Sequence, residues 1–321
     1  MTKNAKLKMI KLNVKIGTRG SALALYQAEL VKARLQIIFP MGNFEIVVIK
    51  TTGDTLSTGG VRSGLTKQIF TREIEEALTK GEIDMAVHSA KDLSVPLPEG
   101  LKLGAVLERE DARDCLVSAQ NKRFRDLEPG ARVGTSALRR KTQLLRLNHD
   151  LVVQDLHGNV DTRLRKVQEG QYDAIVLAYA GLKRLGLAEH ASEIFSEDVF
   201  LPAPGQGIIA VQSRTGDESA AEMLHGLNHA PTLQRLLCER AFLKRLGGGC
   251  SLPCGIMTEL AGEQLKTKGI LLAPNGSHFI ERSLDDTAGD PEETGAELAE
   301  IILEEGGRKI MHEIERMQKG L

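Results

Sequence analysis

Three features of the sequence predict an α/β chain of two similar lobes with a cleft, followed by a smaller α+β domain that carries an antiparallel three-stranded sheet. A strand runs into a glycine turn and then a helix twice, at Ile16-Gly-Thr-Arg-Gly-Ser-Ala22 and at Val133-Gly-Thr-Ser-Ala-Leu138. Gly81 to Leu93 aligns without gaps to Gly170 to Leu182, and each copy follows a helix that opens with Thr-Arg, at Thr71-Arg72 and Thr162-Arg163. From Gly216 onward the pattern changes to one long helix, three alternating strands and two amphipathic helices.

Size and composition suit this architecture. A chain of 321 residues holds two or three domains with real cores. Hydrophobic residues make up 41% and charged residues 26%, but aromatics only 3% with no Trp, so aliphatic side chains must build the core. The formal net charge of -1 makes any basic patch local and gives no reason to expect nucleic-acid or membrane binding. Met1 to Lys11 lacks the apolar run of a secretory leader and no later stretch is long enough to span a bilayer, so a cytoplasmic protein is expected. Cys115, Cys238, Cys250 and Cys254 are too few for a disulfide framework and read as thiols.

In order along the chain, Leu12 to Ile16 alternates as a strand, and Ala22 to Phe39 suits a buried helix with Ser21 as its N-cap. The free N–H groups of that helix start, beside Arg19, form an anion site. Ala131 to Leu147 repeats the design, with Arg139, Arg140 and Lys141 opening the helix. The first copy carries an extra Thr/Gly/Ser-rich stretch, Thr51 to Gly64, which reads as a mobile flap. Its strand ends in His88, Ser89, Lys91 and Asp92 where the second copy has Leu177, Ala178, Ala180 and Gly181. Ligands bind beyond the carboxyl ends of strands in open α/β sheets, so polar groups present in one copy alone read as site residues. Leu97 to Asp114 links the lobes, Leu201-Pro-Ala-Pro-Gly-Gln-Gly207 crosses back, and Ile208 to Gln212 is an apolar strand that returns to the first sheet. Thr232 is placed to cap a helix over Leu233 to Leu246. Strands follow at Gly255 to Leu260, Leu265 to Leu272 and His278 to Leu284, with helices at Thr294 to Glu305 and Arg308 to Gln318.

The chemistry gathers at two places. Leu246-Gly-Gly-Gly-Cys-Ser-Leu-Pro-Cys-Gly255 sets Cys250 on an open turn after a helix, where a bulky group can reach the thiol. Arg19, Ser21, Arg139, Arg140 and Arg163 suit a ligand with several carboxylates or phosphates, because guanidinium groups bind oxyanions in pairs of hydrogen bonds. Asp92 is superfluous for binding anions but useful for holding a developing cation or moving a proton. Cys250 and Cys254 lack a second ligand pair for a metal. No Walker loop or complete dinucleotide fingerprint is present. A ligand-sensing module and a thiol hydrolase pairing Cys250 with His88 remain alternatives at this stage.

With these residues assembled, the chain closely resembles the porphobilinogen deaminase family. The resemblance rests on Ile16-Gly-Thr-Arg-Gly-Ser-Ala-Leu-Ala-Leu-Tyr-Gln27, Ala86-Val-His-Ser-Ala-Lys-Asp92, Gly134-Thr-Ser-Ala-Leu-Arg-Arg140, Gly158-Asn159 with Thr162-Arg163, Leu201 to Gly207, and Gly248-Gly-Cys250 with Pro253. It implies periplasmic-binding-protein-like lobes and an enzyme, a transferase of tetrapyrrole biosynthesis. Such an enzyme joins four porphobilinogen units stepwise to a dipyrromethane primer, releases ammonia at each step, and finally frees hydroxymethylbilane. It implies a thioether from Cys250 to dipyrromethane, with Asp92 as the catalytic carboxylate. Lys67, Ser89, Lys91, Ser136, Arg139 and Arg140 are implied to bind the cofactor together with Asp92, and Arg19, Ser21, Gln27, Phe70, His157, Arg163 and Gln206 the substrate. The implied domains are 1–106 with 207–226 (flap 51–68), 107–206, and a cofactor-attachment domain at 227–321. A monomer without metal or nucleic acid is expected.

Two departures stand out. The flap reads Leu65-Thr-Lys-Gln-Ile-Phe70, unlike the family pattern, and His157 stands where the family has arginine. Because histidine titrates near neutrality, His157 is expected to make binding more sensitive to pH. Cys254 is an extra thiol, expected to serve packing.

Overall fold

The computed structural model describes residues 13–52, 68–248, 252–287 and 289–318. Cys250 and residues 53–67, which include Lys67 and most of the expected flap, lie outside the described residues. The chain runs β1 (Asn13–Thr18), α1 (Ala22–Ile38), β2 (Asn43–Val48), α2 (Gln68–Thr79), β3 (Met85–Ser89) and β4 (Leu101–Val106). Next come β5 (Asp114–Ser118), β6 (Arg132–Gly134), α3 (Leu138–Leu147), β7 (Val152–Gln154), α4 (Val160–Gln168), β8 (Ala174–Ala178), α5 (Tyr179–Arg184) and β9 (Glu193–Ile194). The last third comprises β10 (Ile209–Arg214), α6 (Glu218–Leu227), α7 (Ala230–Arg245), β11 (Cys254–Ala261), β12 (Gln264–Leu272), β13 (Phe279–Thr287), α8 (Pro291–Ile302) and α9 (Arg308–Gln318).

Of the described residues, 13–52, 68–110 and 208–233 form one compact unit. Its sheet has the order β2-β1-β3-β10-β4: the first three strands are parallel, and β10 is antiparallel to both its neighbours. Val14, Ile16, Val31, Leu35, Val87, Val211 and Leu224 fill one face, while Ile74, Leu78, Ile83 and Ala86 fill the other under α2. Each such valine, leucine or isoleucine contributes roughly 1.5–3 kcal/mol by leaving water. The expected return of Ile208 to Gln212 to the first sheet is thus realised as β10. The expected link from Leu97 to Asp114 is shorter than the sequence suggested, because Leu101–Val106 forms edge strand β4. Gly104 breaks the alternation there for a reason: a Cβ would stand 2.3 Å from Leu224 Cδ1 on α6.

The second unit takes in described residues 111–207 and those from 234 onward. Its larger sheet, β7-β6-β8-β5-β9, repeats the first design, with three parallel strands and then β5 antiparallel to both β8 and β9. The repeated Gly-x-x-Asp has the same structural job in both units. Gly81 and Gly170 end their helices with φ of 76° and 72°, a left-handed cap that favours glycine. Three residues on, Asp84 accepts the Lys15 N–H (2.8 Å) and returns its own N–H to the Lys15 carbonyl (2.9 Å). Asp173 does the same with Arg132, at 2.7 and 2.9 Å. The motif therefore locks a helix end and a strand start to the neighbouring strand.

The antiparallel sheet β11-β12-β13 belongs to the second unit and packs through Leu201, Ile270 and Leu272. Gly255 is required at that joint, since a Cβ would lie 2.7 Å from Leu201 Cβ and 2.8 Å from its carbonyl oxygen. The Ile256 N–H donates to the Pro202 carbonyl (3.0 Å), and the Arg146 guanidinium lies 4.7 Å from the Phe279 ring centre. Two helix starts come earlier than the sequence reading placed them. α7 begins at Ala230, with Thr232 inside its first turn, where its hydroxyl accepts the Arg109 N–H (3.1 Å) instead of capping. α8 begins at Pro291 because Asp290 accepts the N–H groups of Glu292 and Glu293, and proline suits the first turn.

Candidate active site

In the first unit the expected residues cluster around the carboxyl ends of β1 and β3. Ser21 caps α1 by accepting the Ala24 N–H (3.3 Å), as the sequence suggested. Farther along α1, buried Gln27 donates from Nε2 to Ser89 Oγ (3.0 Å), while the Ser89 hydroxyl can donate to Gln27 Oε1 (3.2 Å). Ser89 ends β3, and the chain then tightens into the short turn Ala90–Asp92, which carries Lys91 and Asp92. The Ala90 N–H donates to the Ile208 carbonyl (2.9 Å), which fixes this turn to the chain entering β10. Lys91, Asp92 and Arg19 are all partly accessible.

His88 differs from them in being buried. Successive strand residues point to opposite faces, so His88 shares the α2 face with Ala86, whereas Val87 and Ser89 take the other. Burial pushes its pKa down to about 4; the carboxylate of Asp92 and a side-chain contact with Gln212 pull it back up, and Arg19 adds to the depression. His88 is therefore a buried neutral ring and not an exposed site residue, although Asp92 and Arg19 both act on its charge. The described cysteines Cys115, Cys238 and Cys254 are buried and without disulfides. Burial lifts the Cys115 thiol to about 12 and Cys238 to about 11, so neither is a nucleophile near neutral pH.

In the second unit, Arg139 and Arg140 on α3 are buried, at 6% and 5% exposure, against Asp114, which is fully buried. Arg139 Nη1 donates to Asp114 Oδ2 and to the Leu201 carbonyl, both at 2.6 Å. Arg140 donates from Nε and Nη2 to Asp114 Oδ1 (3.0 and 2.7 Å) and from Nη1 to the Val176 carbonyl (3.0 Å). Gln206 completes the cluster, with Nε2 donating to Asp114 Oδ1 (3.0 Å) and to the Ala112 carbonyl (2.7 Å). Burial lowers the Arg139 pKa, with Asp114 opposing that shift and Arg140 adding to it. Removing one partner from such a buried ion pair costs about 3–5 kcal/mol, because the other charge is left without compensation.

A second group lies around the start of α4. Ser136 Oγ donates to the Leu156 carbonyl (2.8 Å) and accepts the Leu156 N–H (2.9 Å), holding the chain that leads into His157. Arg163 Nε donates to the Gly158 carbonyl (2.6 Å), and Lys166 Nζ donates to the carbonyl of His157 (3.3 Å). Phe70 lies in the first turn of α2, where its side chain falls outside the described residues.

Asp114 is the residue that the sequence reading missed. Its signal was a carboxylate opening the apolar run Cys115-Leu-Val117, a position that no strand buries without a cation. Two paired arginines with one carboxylate leave the buried cluster one positive charge, which suits an acidic ligand group.

Comparison with known proteins accords with that chemistry. Residues 14–222 match the family described as porphobilinogen deaminase, dipyrromethane cofactor binding domain, and residues 233–304 match its C-terminal domain. The chain belongs to the porphobilinogen deaminase family. Porphobilinogen deaminase of Thermus thermophilus is 47% identical over 302 residues, 94% of this chain and 99% of that protein. That of Carboxydothermus hydrogenoformans is 44% identical over 307 residues, 96% and 99% of the two chains. Among solved structures, the VFT2 domain of Bordetella pertussis BvgS aligns with a TM-score of 0.45 at 17% identity, over 70% of this chain and 91% of that one. As a porphobilinogen deaminase family member the chain is a transferase of tetrapyrrole synthesis, uses a dipyrromethane cofactor and takes porphobilinogen as substrate. The buried arginine pair is the kind of donor set that a cofactor bearing acetate and propionate groups requires. No described helix is long and apolar enough to cross a membrane.

Proposed function

We propose that the chain works as a cytoplasmic monomer of three domains, 1–106 with 207–226, 107–206 and 227–321, and that Cys250 carries the cofactor through a thioether. When bound, dipyrromethane would supply the pyrrole carbon to which the first porphobilinogen is joined, each later unit joining the pyrrole added before it. Arg139, Arg140 and Ser136 hold carboxylates of the cofactor, assisted by Lys67, Ser89 and Lys91. Arg19, Ser21, Gln27, Phe70, His157, Arg163 and Gln206 serve the incoming substrate and the lengthening chain. Asp92 accepts hydrogen bonds from pyrrole N–H groups and stabilises the cation left when ammonia departs from the substrate. A carboxylate at that point offsets positive charge that the surrounding cations would otherwise repel.

The observation that carries this reading is the buried Arg139–Arg140 pair, whose only carboxylate partner among the described residues is Asp114. It supports a ligand that brings its own carboxylates. The glycines ahead of Cys250 support an accessible thiol: Gly247 and Gly248 have φ of 102° and 61°, and they close α7 by donating to the Lys244 and Leu243 carbonyls (3.0 and 2.9 Å).

Intact mass under denaturing conditions tests the reading on protein purified from cells that make porphobilinogen. The wild type is expected to carry a gain equal to two linked pyrroles, which Cys250→Ser loses. Asp92→Ala is expected to fold normally and turn over at least ~100-fold more slowly, the range for removing a group that stabilises transition-state charge. Bare polypeptide mass in active wild-type protein, or undiminished turnover in Asp92→Ala, refutes the assignment.

A further inference from the structure

Asp114 does more than neutralise a neighbour. It opens β5, and in the sheet its Cα partner is Ala178, the last residue of β8. In the first unit the matching pair is Ile209 on β10 with Ser89 at the end of β3. The two repeats thus place carboxylates at corresponding ends of their sheets by different routes. The first uses the turn after its parallel strand, at Asp92; the second uses the antiparallel strand beside it, at Asp114.

Four side-chain hydrogen bonds converge on the Asp114 carboxylate: one from Arg139, two from Arg140 and one from Gln206. Arg139 and Gln206 also bind the carbonyls of Leu201 and Ala112, on the two segments that flank the second lobe. A single buried carboxylate therefore orients both guanidinium groups and sets the cluster at one net positive charge. Without Asp114, two buried cations would repel each other and recruit anions without discrimination.

We propose that Asp114 is a positioning residue for cofactor binding: it holds Arg139 and Arg140 in one arrangement and leaves the cluster with charge for a single ligand carboxylate. This rests on the reading that Arg139 and Arg140 hold the cofactor, and the experiment separates the two.

Wild type, Asp114→Asn, Asp114→Glu and Arg139→Met are purified from cells that make porphobilinogen. Each is measured for the fraction carrying the dipyrromethane mass, for thermal unfolding with and without added inorganic phosphate at matched ionic strength, and for KM and kcat. Asp114→Asn is expected to unfold cooperatively but to load about tenfold less cofactor, the worth of one charge-assisted hydrogen bond. Its melting temperature should rise more with phosphate than that of the wild type, a response that a merely space-filling residue would not produce. Asp114→Glu restores part of the loading, and the loaded fraction of Asp114→Asn shows a raised KM with little change in kcat. Full loading, wild-type KM and no extra phosphate response in Asp114→Asn overturn the proposal while leaving the arginine reading intact, provided that Arg139→Met loses cofactor. Full loading of Arg139→Met overturns the arginine reading itself. If Asp114→Asn does not fold, Asp114→Glu decides, since it keeps the charge but displaces the carboxylate that orients both guanidinium groups. Reduced loading supports the role of Asp114, and wild-type loading and KM refute it.

Discussion

His88 carries a consequence for stability that its neighbours on β3 do not share. Its native pKa lies at about 4 because the ring is buried, against an ordinary value of 6.5. Below pH 6.5 the unfolded chain takes up a proton that the native state refuses, so stability falls as pH drops from 6.5 towards 4 and is unaffected above that window. The shift corresponds to roughly 3 kcal/mol across the window. Urea unfolding at pH 7.5 and pH 4.5 is expected to show a larger loss in the wild type than in His88→Asn, and equal losses would refute the account. Its burial was legible in principle, since period-two alternation separates His88 from Ser89. Reading the four polar residues as one group obscured it. Asp114 was harder to see, because its partners Arg139, Arg140 and Gln206 stand far along the chain and meet it only through tertiary folding. Ser21 and Gly247 were easier, because a cap is decided within a few residues.

At the level of elements, the Gly-x-x-Asp unit was readable because each part acts locally: the glycine stops a helix and the aspartate starts a strand. The reciprocal bonds of Asp84 with Lys15 and of Asp173 with Arg132 explain why the spacing is the same in both copies. Gly170 has φ of 72°, and a Cβ added to it would have no neighbour within 4 Å, so a side chain there meets backbone strain alone. Gly170→Ala should cost about 1–2 kcal/mol in denaturant unfolding, and Gly170→Asn less, because asparagine tolerates the left-handed region. Equal stability of all three proteins would show that the cap is not under strain. Strand β4 was misread as linker because Gly104 interrupts its pattern, and the close approach of Leu224 that demands glycine is invisible in sequence.

At the scale of the whole molecule, the second unit joins its two sheets through a joint with little slack. Gly255→Ala would drive a methyl group into Leu201, where both Cβ and carbonyl oxygen lie under 3 Å away. A loss of about 1–3 kcal/mol is expected, the range for overpacking, together with faster amide exchange along β11; unchanged exchange would mean that the joint relaxes freely. The order of strands in the first sheet bears on biosynthesis. β10 sits between β3 and β4, yet it is specified only after the whole second five-stranded sheet. A nascent chain leaving the ribosome therefore waits roughly 5–20 s between the emergence of β4 and that of β10, with the edge of β3 open meanwhile. An open edge is a template for pairing with other chains, so this interval is when a chaperone has most to protect.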